Sequence, residues 1–362
     1  MSDYQMLREA HTIQSLRDFI NDNAVRPCTI MEVCGTHTMS IARWGIKTML
    51  PDQIRLVSGP GCPVCVTDAS MMGTAFSLAQ KPGIIFTCFG DMLRVPAGDK
   101  SLLQLKSSGS DIRIVLSPMD ALQLAVENPE REVVFFAVGF ETTAPLTAAT
   151  INLANQKQIT NFSILCAHKT MPAAIKALLP GSAVDALICP GHVAVITGCK
   201  KFQFVAEILK RPAAVAGFEP FDILLAIAYL IKDIKENAAH LYNCYPRAVD
   251  DNGNITAQEI IDQIFMPADG IWRGLGLIQD SCLSLRDEYS DFDAVKKFAP
   301  EPVSISDNPA CMCSAILRGE SSPEDCPLFD KQCTPEHPVG ACMVSAEGSC
   351  AAAYKYMRRT AK

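Results

Sequence analysis

The chain has no apolar run long enough to cross a bilayer: the longest, Ile223–Ile231, falls far short of the roughly 20 residues that a spanning helix needs. Its first residues, 1–10, mix charge and polarity around no apolar core, so no secretory signal is expected and the expected location is the cytoplasm. Basic residues form no stripe. Isolated pairs such as Lys200-Lys201 and Arg358-Arg359 are as far as clustering goes and the formal charge is −7, which argues against nucleic acid or an anionic membrane as partner and leaves protein partners or small anions. No sequence repeat recurs at a fixed period, and no second Cys-x-x-Cys accompanies the one at Cys62 and Cys65.

What the chain has in quantity is cysteine, 16 among 362 residues. In a reducing compartment such numbers point to metal binding, redox chemistry or inert core positions rather than to structural disulfides. Soft thiolates select iron–sulfur clusters, zinc or copper(I).

At roughly 100 to 200 residues per domain the length suggests two or three domains, with apolar content sufficient for a substantial core. Residues 3–22 have the periodicity of an amphipathic helix. From about residue 29 to 237, short β-rich runs alternate with helical stretches, as in parallel α/β architecture. Strands are expected at 29–33, 54–58, 83–88, 112–117, 133–138, 162–167, 186–189 and 213–216. Helices are expected at 68–80, 120–127, 143–156, 172–179, 201–209 and 221–237. The run Val133-Val-Phe-Phe-Ala-Val138 is apolar throughout, the mark of a strand covered on both faces. The Asn-Pro near residue 128 divides two α/β units, 23–127 and 128–240. After Tyr242 regular alternation fades, and six of the 16 cysteines fall in the final 52 residues. The expected fold is therefore two parallel-sheet α/β domains plus a small cysteine-rich C-terminal domain, 241–362, with the N-terminal helix available to pack on it; so small a core calls for a metal staple.

Four motifs carry the chemistry. Cys34-Gly-Thr-His37 follows an apolar run, which places the cysteine at the carboxyl end of a strand, where open α/β sheets bind ligands. A helix beginning nearby would favour its thiolate and His37 could add charge, hydrogen-bond or shuttle a proton; the other reading is a buried small hydrophobe beside a loop histidine. Gly59-Pro-Gly-Cys62-Pro-Val-Cys65 is a rigid strand-to-helix turn holding a Cys-x-x-Cys pair, the arrangement of dithiol redox centres, with half of a zinc site as the rival. Gly139-Phe-Glu141-Thr142-Thr143 follows the buried strand at 133–138. A threonine there could serve as an N-cap, which leaves Glu141 without a role. Cys189-Pro-Gly-His192 and Gly217-Phe-Glu219-Pro220 occupy similar strand ends, and the three together suggest a shared polar cleft. In the tail, Cys311, Cys326, Cys333 and Cys350 are separated by 14, 6 and 16 residues, a spacing unlike a zinc ribbon and suited to a [4Fe–4S] cluster, with Cys313 and Cys342 left over and structural zinc as the alternative.

In this order the motifs resemble the HypD family of [NiFe]-hydrogenase maturation factors. The matching segments are Glu32-Val-Cys-Gly-Thr-His-Thr38, Ser58-Gly-Pro-Gly-Cys-Pro-Val-Cys65, Val138-Gly-Phe-Glu-Thr-Thr-Ala-Pro145, Pro190-Gly-His-Val193, Gly217-Phe-Glu-Pro220 and Gly340-Ala-Cys-Met-Val-Ser-Ala-Glu-Gly-Ser-Cys350. The resemblance implies a scaffold on which a ferrous Fe(CN)2(CO) group is assembled together with a HypC-type chaperone, with cyanide brought by a HypE-type donor, before delivery to the hydrogenase large-subunit precursor. It implies that Cys34 binds the iron, a cysteine of the chaperone being the other protein ligand, that Cys62 and Cys65 are the redox pair, and that Cys311, Cys326, Cys333 and Cys350 hold the cluster. His37 would tune the thiolate, and Glu141, Thr142, Thr143 and His192 would line the cleft. Some members carry a second histidine where this chain has Met39. A thiol–disulfide oxidoreductase that draws electrons from an iron–sulfur centre is the alternative activity.

Overall fold

The structure is a computed structural model that describes residues 10–301, 303 and 305–357. The expected N-terminal helix is described from Ala10 to Asn23 (α1); its predicted start at residues 3–9, and the Arg358-Arg359 pair, lie outside the described residues. Among the described residues eleven strands follow: β1 Cys28–Glu32, β2 Ile54–Ser58, β3 Ile84–Cys88, β4 Ile112–Ile114, β5 Glu132–Gly139, β6 Phe162–His168, β7 Ala186–Pro190, β8 Ala213–Ala216, β9 Leu241–Cys244, β10 Phe265–Trp272 and β11 Gly276–Leu285. The further helices that matter here are α2 Gly35–Arg43, α3 Pro63–Val66, α4 Ala69–Ala79, α5 Pro118–Glu127, α6 Ala144–Gln156, α7 Met171–Leu178, α8 Gly191–Thr197, α9 Pro220–Glu236, α10 Ile255–Ile264, α11 Cys313–Leu317 and α12 Ser349–Tyr356.

Two parallel sheets form the body, as the alternating pattern predicts. Sheet one has the order β2-β1-β7-β8-β9 and sheet two the order β4-β3-β5-β6. The sheets do not follow the sequence division at residue 127. Sheet one takes β1 and β2 from before it and β7, β8 and β9 from well after it, and sheet two is built from the segment between. β5 is buried along almost its whole length, between β3 and β6, which accounts for its unbroken apolar run. α9 lays Ile223, Ile227, Leu230 and Ile234 on the Ile30 and Ile188 side of sheet one, the helical period having put these side chains on one face. Its entry is fixed by a capping box between Glu219 and Asp222.

Beyond Tyr242 the structure is more regular than the sequence suggests: α10 leads into the antiparallel hairpin β10–β11, which is bulged between Ala268 and Gly270. The helix expected at 201–209 is a short 3-10 segment, Cys199–Phe202, followed by Gln203–Glu207. The cysteine-bearing tail does not keep a core to itself, since its cysteines share one buried cluster with Met31, Val57 and Leu187 of sheet one. Among the described residues no helix is long and apolar enough to cross a membrane.

Candidate functional site

β2, β1, β7 and β8 are parallel neighbours, so their carboxyl ends lie side by side and the turns that follow them form one edge of sheet one. Cys34 lies two residues beyond β1, as the N-cap of α2. The turn after β2 runs directly against it: the Gly35 N–H donates to the carbonyl of Gly61 at 2.8 Å, and a methyl group on Gly61 would overlap the backbone N and Cα of Cys34. Glycine is what lets the two turns touch. From the other side the tail closes in. Glu347 accepts the Thr36 hydroxyl at 2.6 Å and packs on Gly35.

Cys34 sits where a helix dipole favours a thiolate, yet burial, and after it the carboxylate of Glu347, pushes its thiol up to about 12. Of the two effects on the free thiol, desolvation is larger than the dipole. A cation on the sulfur reverses that balance. His37 is fully buried and neutral, its pKa lowered by desolvation to about 4. Its Nε2–H donates to the carbonyls of Ala216 at 3.1 Å and Gly217 at 2.9 Å, so Nδ1 keeps its lone pair, and that atom is buried without a hydrogen-bond partner. Phe218 stands between the two imidazoles, 4.8 Å from His37 and 4.1 Å from His192. Desolvation lowers the pKa of His192 too, against the pull of Glu347. Cys34, His37 and His192 thus belong to one edge.

Glu32 is a member of this edge that motif reading passed over. It is 1% exposed; Oε2 accepts the Cys34 N–H at 3.0 Å and Oε1 accepts the Thr38 hydroxyl at 2.5 Å. Burial raises its carboxyl to about 7. The signal was present: an acidic residue inside the otherwise apolar strand Thr29-Ile-Met-Glu-Val33. Glu347 and Phe218 were likewise missed as neighbours, because their proximity depends on chain crossovers that no local pattern encodes.

Cys62 and Cys65 form a disulfide. Cys62 caps α3, its sulfur accepting the Cys65 N–H at 3.2 Å, with Pro63 opening the helix. The Cys65 sulfur lies 3.9 Å from the Ala341 carbonyl, next to Cys342 of the tail. All six tail cysteines, Cys311, Cys313, Cys326, Cys333, Cys342 and Cys350, line one small cavity with Ile316 and Phe329, so Cys313 and Cys342 are not set apart from the four expected ligands. The Val339 N–H donates to the Cys333 sulfur at 3.3 Å. Burial, together with the neighbouring sulfurs of Cys313, Cys311, Cys333 and Cys326, raises the Cys350 thiol well above its ordinary value. Among the described residues no three cysteine, histidine or carboxylate side chains form a closed metal-binding group; the sulfurs ring the cavity.

Glu141, Thr142 and Thr143 stand apart from the Cys34 edge, at the carboxyl end of β5 in sheet two. Glu141 accepts the Met171 N–H at 3.0 Å through Oε1, its Oε2 is buried with no hydrogen-bond partner, and desolvation raises its carboxyl to about 7. Thr142 is exposed. Thr143 occupies the N-cap position of α6 without a side-chain cap bond, its hydroxyl donating instead to the Phe140 carbonyl at 3.2 Å. None of these bonds reaches Cys34, His37 or His192. Phe140 stacks on Trp272, which shares a core cluster with Cys62 and Cys65, so this motif backs the dithiol turn.

A family model described as HypD, "Hydrogenase formation hypA family", matches residues 10–357. The chain is 45% identical to "Hydrogenase maturation factor HypD2" of Bradyrhizobium diazoefficiens over 92% of its own length and 90% of that protein. It is 42% identical to "Hydrogenase maturation factor HypD" of Escherichia coli (strain K12), over 98% of this chain and 96% of the relative. A HypD from Azotobacter vinelandii is 44% identical, covering 92% and 90% of the two chains. The chain belongs to the HypD family of hydrogenase maturation factors.

Proposed function

We propose that this chain is the scaffold on which ferrous iron acquires cyanide and carbonyl ligands during [NiFe]-hydrogenase maturation, with Cys34 as the iron anchor. The observation that carries the reading is the backbone contact between the Cys34 turn and Gly61 of the dithiol loop, with Glu347 of the tail against the other flank. An iron held at Cys34 is cargo. A HypC-type chaperone supplies the second protein ligand, a HypE-type partner brings cyanide, and the hydrogenase large-subunit precursor receives the product, all in the cytoplasm. Low-spin ferrous iron with strong-field ligands accepts thiolate well, and the unpartnered Nδ1 of His37 is an acceptor in the same buried edge.

The tail fits a [4Fe–4S] cluster in its donor chemistry: six soft sulfurs around one cavity, one of them already accepting a backbone N–H. Cys311, Cys326, Cys333 and Cys350 would hold it, and when bound it supplies one-electron chemistry. Cys62 and Cys65 release two electrons and two protons on closing to a disulfide, and the Cys65 sulfur faces the Ala341–Cys342 segment of the same tail. The loop prolines Pro60 and Pro63 keep that geometry rigid.

Infrared spectroscopy of the chain purified without oxygen together with its HypC-type partner tests the reading. Cyanide and carbonyl stretching bands are expected on the complex and are expected to vanish in Cys34→Ala while the visible absorption of the cluster persists. Bands that survive Cys34→Ala, or metal analysis giving zinc and no iron, would overturn it.

A further inference from the structure

We propose that Arg273 is the charge that eases entry of an electron into the cysteine-lined cavity of the tail and that Asp307 opposes it, roles that rest on reading this cavity as a [4Fe–4S] site. Arg273 stands at the tip of the β10–β11 hairpin, which is wedged between the dithiol turn and the tail. On one side Trp272 bridges to Thr67, and the Arg273 N–H donates to the Val66 carbonyl at 2.9 Å, one residue past Cys65. On the other, Gly274 packs on the backbone of Ser314, one residue past Cys313, and its carbonyl accepts the Arg318 guanidinium at 2.8 Å. The residue that carries the guanidinium is thus held by backbone against both sulfur-bearing elements.

Arg273 is 4% exposed. Its Nη2 donates to the Pro96 carbonyl at 3.4 Å, while Nε is buried with no hydrogen-bond partner and stands 3.6 Å from the Asp307 carboxylate, beyond hydrogen-bond reach. Asp307 is itself exposed, so water screens it and the buried cation is only partly compensated. The two charges bear on different sulfurs of one cavity, since Cys311 and Cys342 both line it. The hydrogen bond with Cys313 and then burial act most strongly on the Cys342 thiol, and after them Arg273 draws it down. The Cys311 thiol is pushed up by Cys313 and by burial, and Asp307 adds to the rise. A one-electron donor that reduces the tail site adds one negative charge there, with no bond made or broken and no proton moved. The potential of such a site follows the charge and solvent exclusion around it, so a buried cation favours the reduced state and a carboxylate disfavours it.

The test is a redox titration of the full-length chain, purified without oxygen, with dithionite as the donor and electron paramagnetic resonance as the readout, at matched iron and sulfide content. Arg273→Gln is expected to disfavour reduction about tenfold, a fall of about 59 mV in the one-electron midpoint, and Arg273→Lys to keep most of the unaltered value. Asp307→Asn should raise the midpoint, by less because the position is exposed. Loosened packing would move the two sites in the same direction, so opposite shifts mark an effect of charge. If Arg273→Gln does not fold, Asp307→Asn decides by itself. An unchanged midpoint in a folded Arg273→Gln, or an unchanged or lowered one in Asp307→Asn, with the iron–sulfur signal intact, would overturn this role alone. Absence of the signal from the unaltered chain would overturn the cluster reading beneath it as well.

Discussion

The Glu32 carboxylate accepts the Cys34 N–H at 3.0 Å while its other oxygen accepts the Thr38 hydroxyl, so one buried side chain fixes both the start and the first turn of the helix that carries Cys34. Glu32→Ala leaves the buried Cys34 N–H without its acceptor, which costs about 1–3 kcal/mol, while the Thr38 hydroxyl is left with only its longer bond to the Cys34 carbonyl at 3.4 Å. Glu32→Gln keeps an acceptor for one of them and is expected to lose less. Urea midpoints at pH 4.5, where the raised carboxyl carries no charge and its burial cost does not enter, should rank the chain in the order unaltered, Gln, Ala; equal midpoints for all three would mean that the hydrogen bonds to Glu32 contribute nothing.

Gly61 touches Cys34 through bare backbone, and any side chain there must push the two turns apart. Gly61→Ala is expected to destabilise the chain by about 1–3 kcal/mol through overpacking. It should also abolish cyanide and carbonyl bands on the complex, because the dithiol loop no longer seats against the Cys34 turn. Normal bands with a lowered urea midpoint would separate the packing role from the functional one.

Much of this was legible locally, and the reason differs by element. β2 and β8 are found at the residues their apolar runs mark, since each run is bounded by Gln53 or Pro212 before it and by Gly59 or Gly217 after it. The hairpin β10–β11 escaped notice because Pro267, Gly270 and an exposed outer face interrupt its alternation, and the bulge shifts its register. The assembly of sheet one from two distant stretches was not legible at all. Parallel order is set by crossovers, and nothing in Cys28–Glu32 announces that its second neighbour is Ala186–Pro190. The same gap explains the misplaced Glu141, which lies at a strand end of the kind expected but in the other sheet.

Glu141 ties stability to pH. Its carboxyl stands at about 7 in the folded chain against 4.5 ordinarily, because desolvation penalises the charged form. Between those values the folded chain holds a proton that the unfolded chain has released, so stability falls as pH rises from about 4.5 to 7, and the full cost is present above 7. For one group that amounts to about 3 kcal/mol. Glu32, raised likewise, adds to it. Glu141→Gln should therefore gain stability relative to the unaltered chain at pH 7.5 and little at pH 4.5, read as urea midpoints at the two values. A gain of equal size at both would show that Glu141 does not titrate in this window.

Cys62 and Cys65 sit outside the sulfur-lined cavity, with the Cys65 sulfur facing the backbone that carries Cys342. That placement separates two roles which a cysteine count alone would merge. If the pair handles electrons, Cys62→Ser removes the disulfide without touching any of the six cavity sulfurs, so the visible absorption of the cluster should stay while hydrogenase maturation falls to background in a strain lacking its own copy. If the pair instead supports packing of the tail, both properties disappear together, because the 341–343 turn loses the surface on which it rests. Cys65→Ser should behave as Cys62→Ser does, since either change leaves a lone thiol unable to cycle. A strain that matures hydrogenase normally with either serine in place would remove the redox assignment and leave Cys34 as the functional sulfur of that edge.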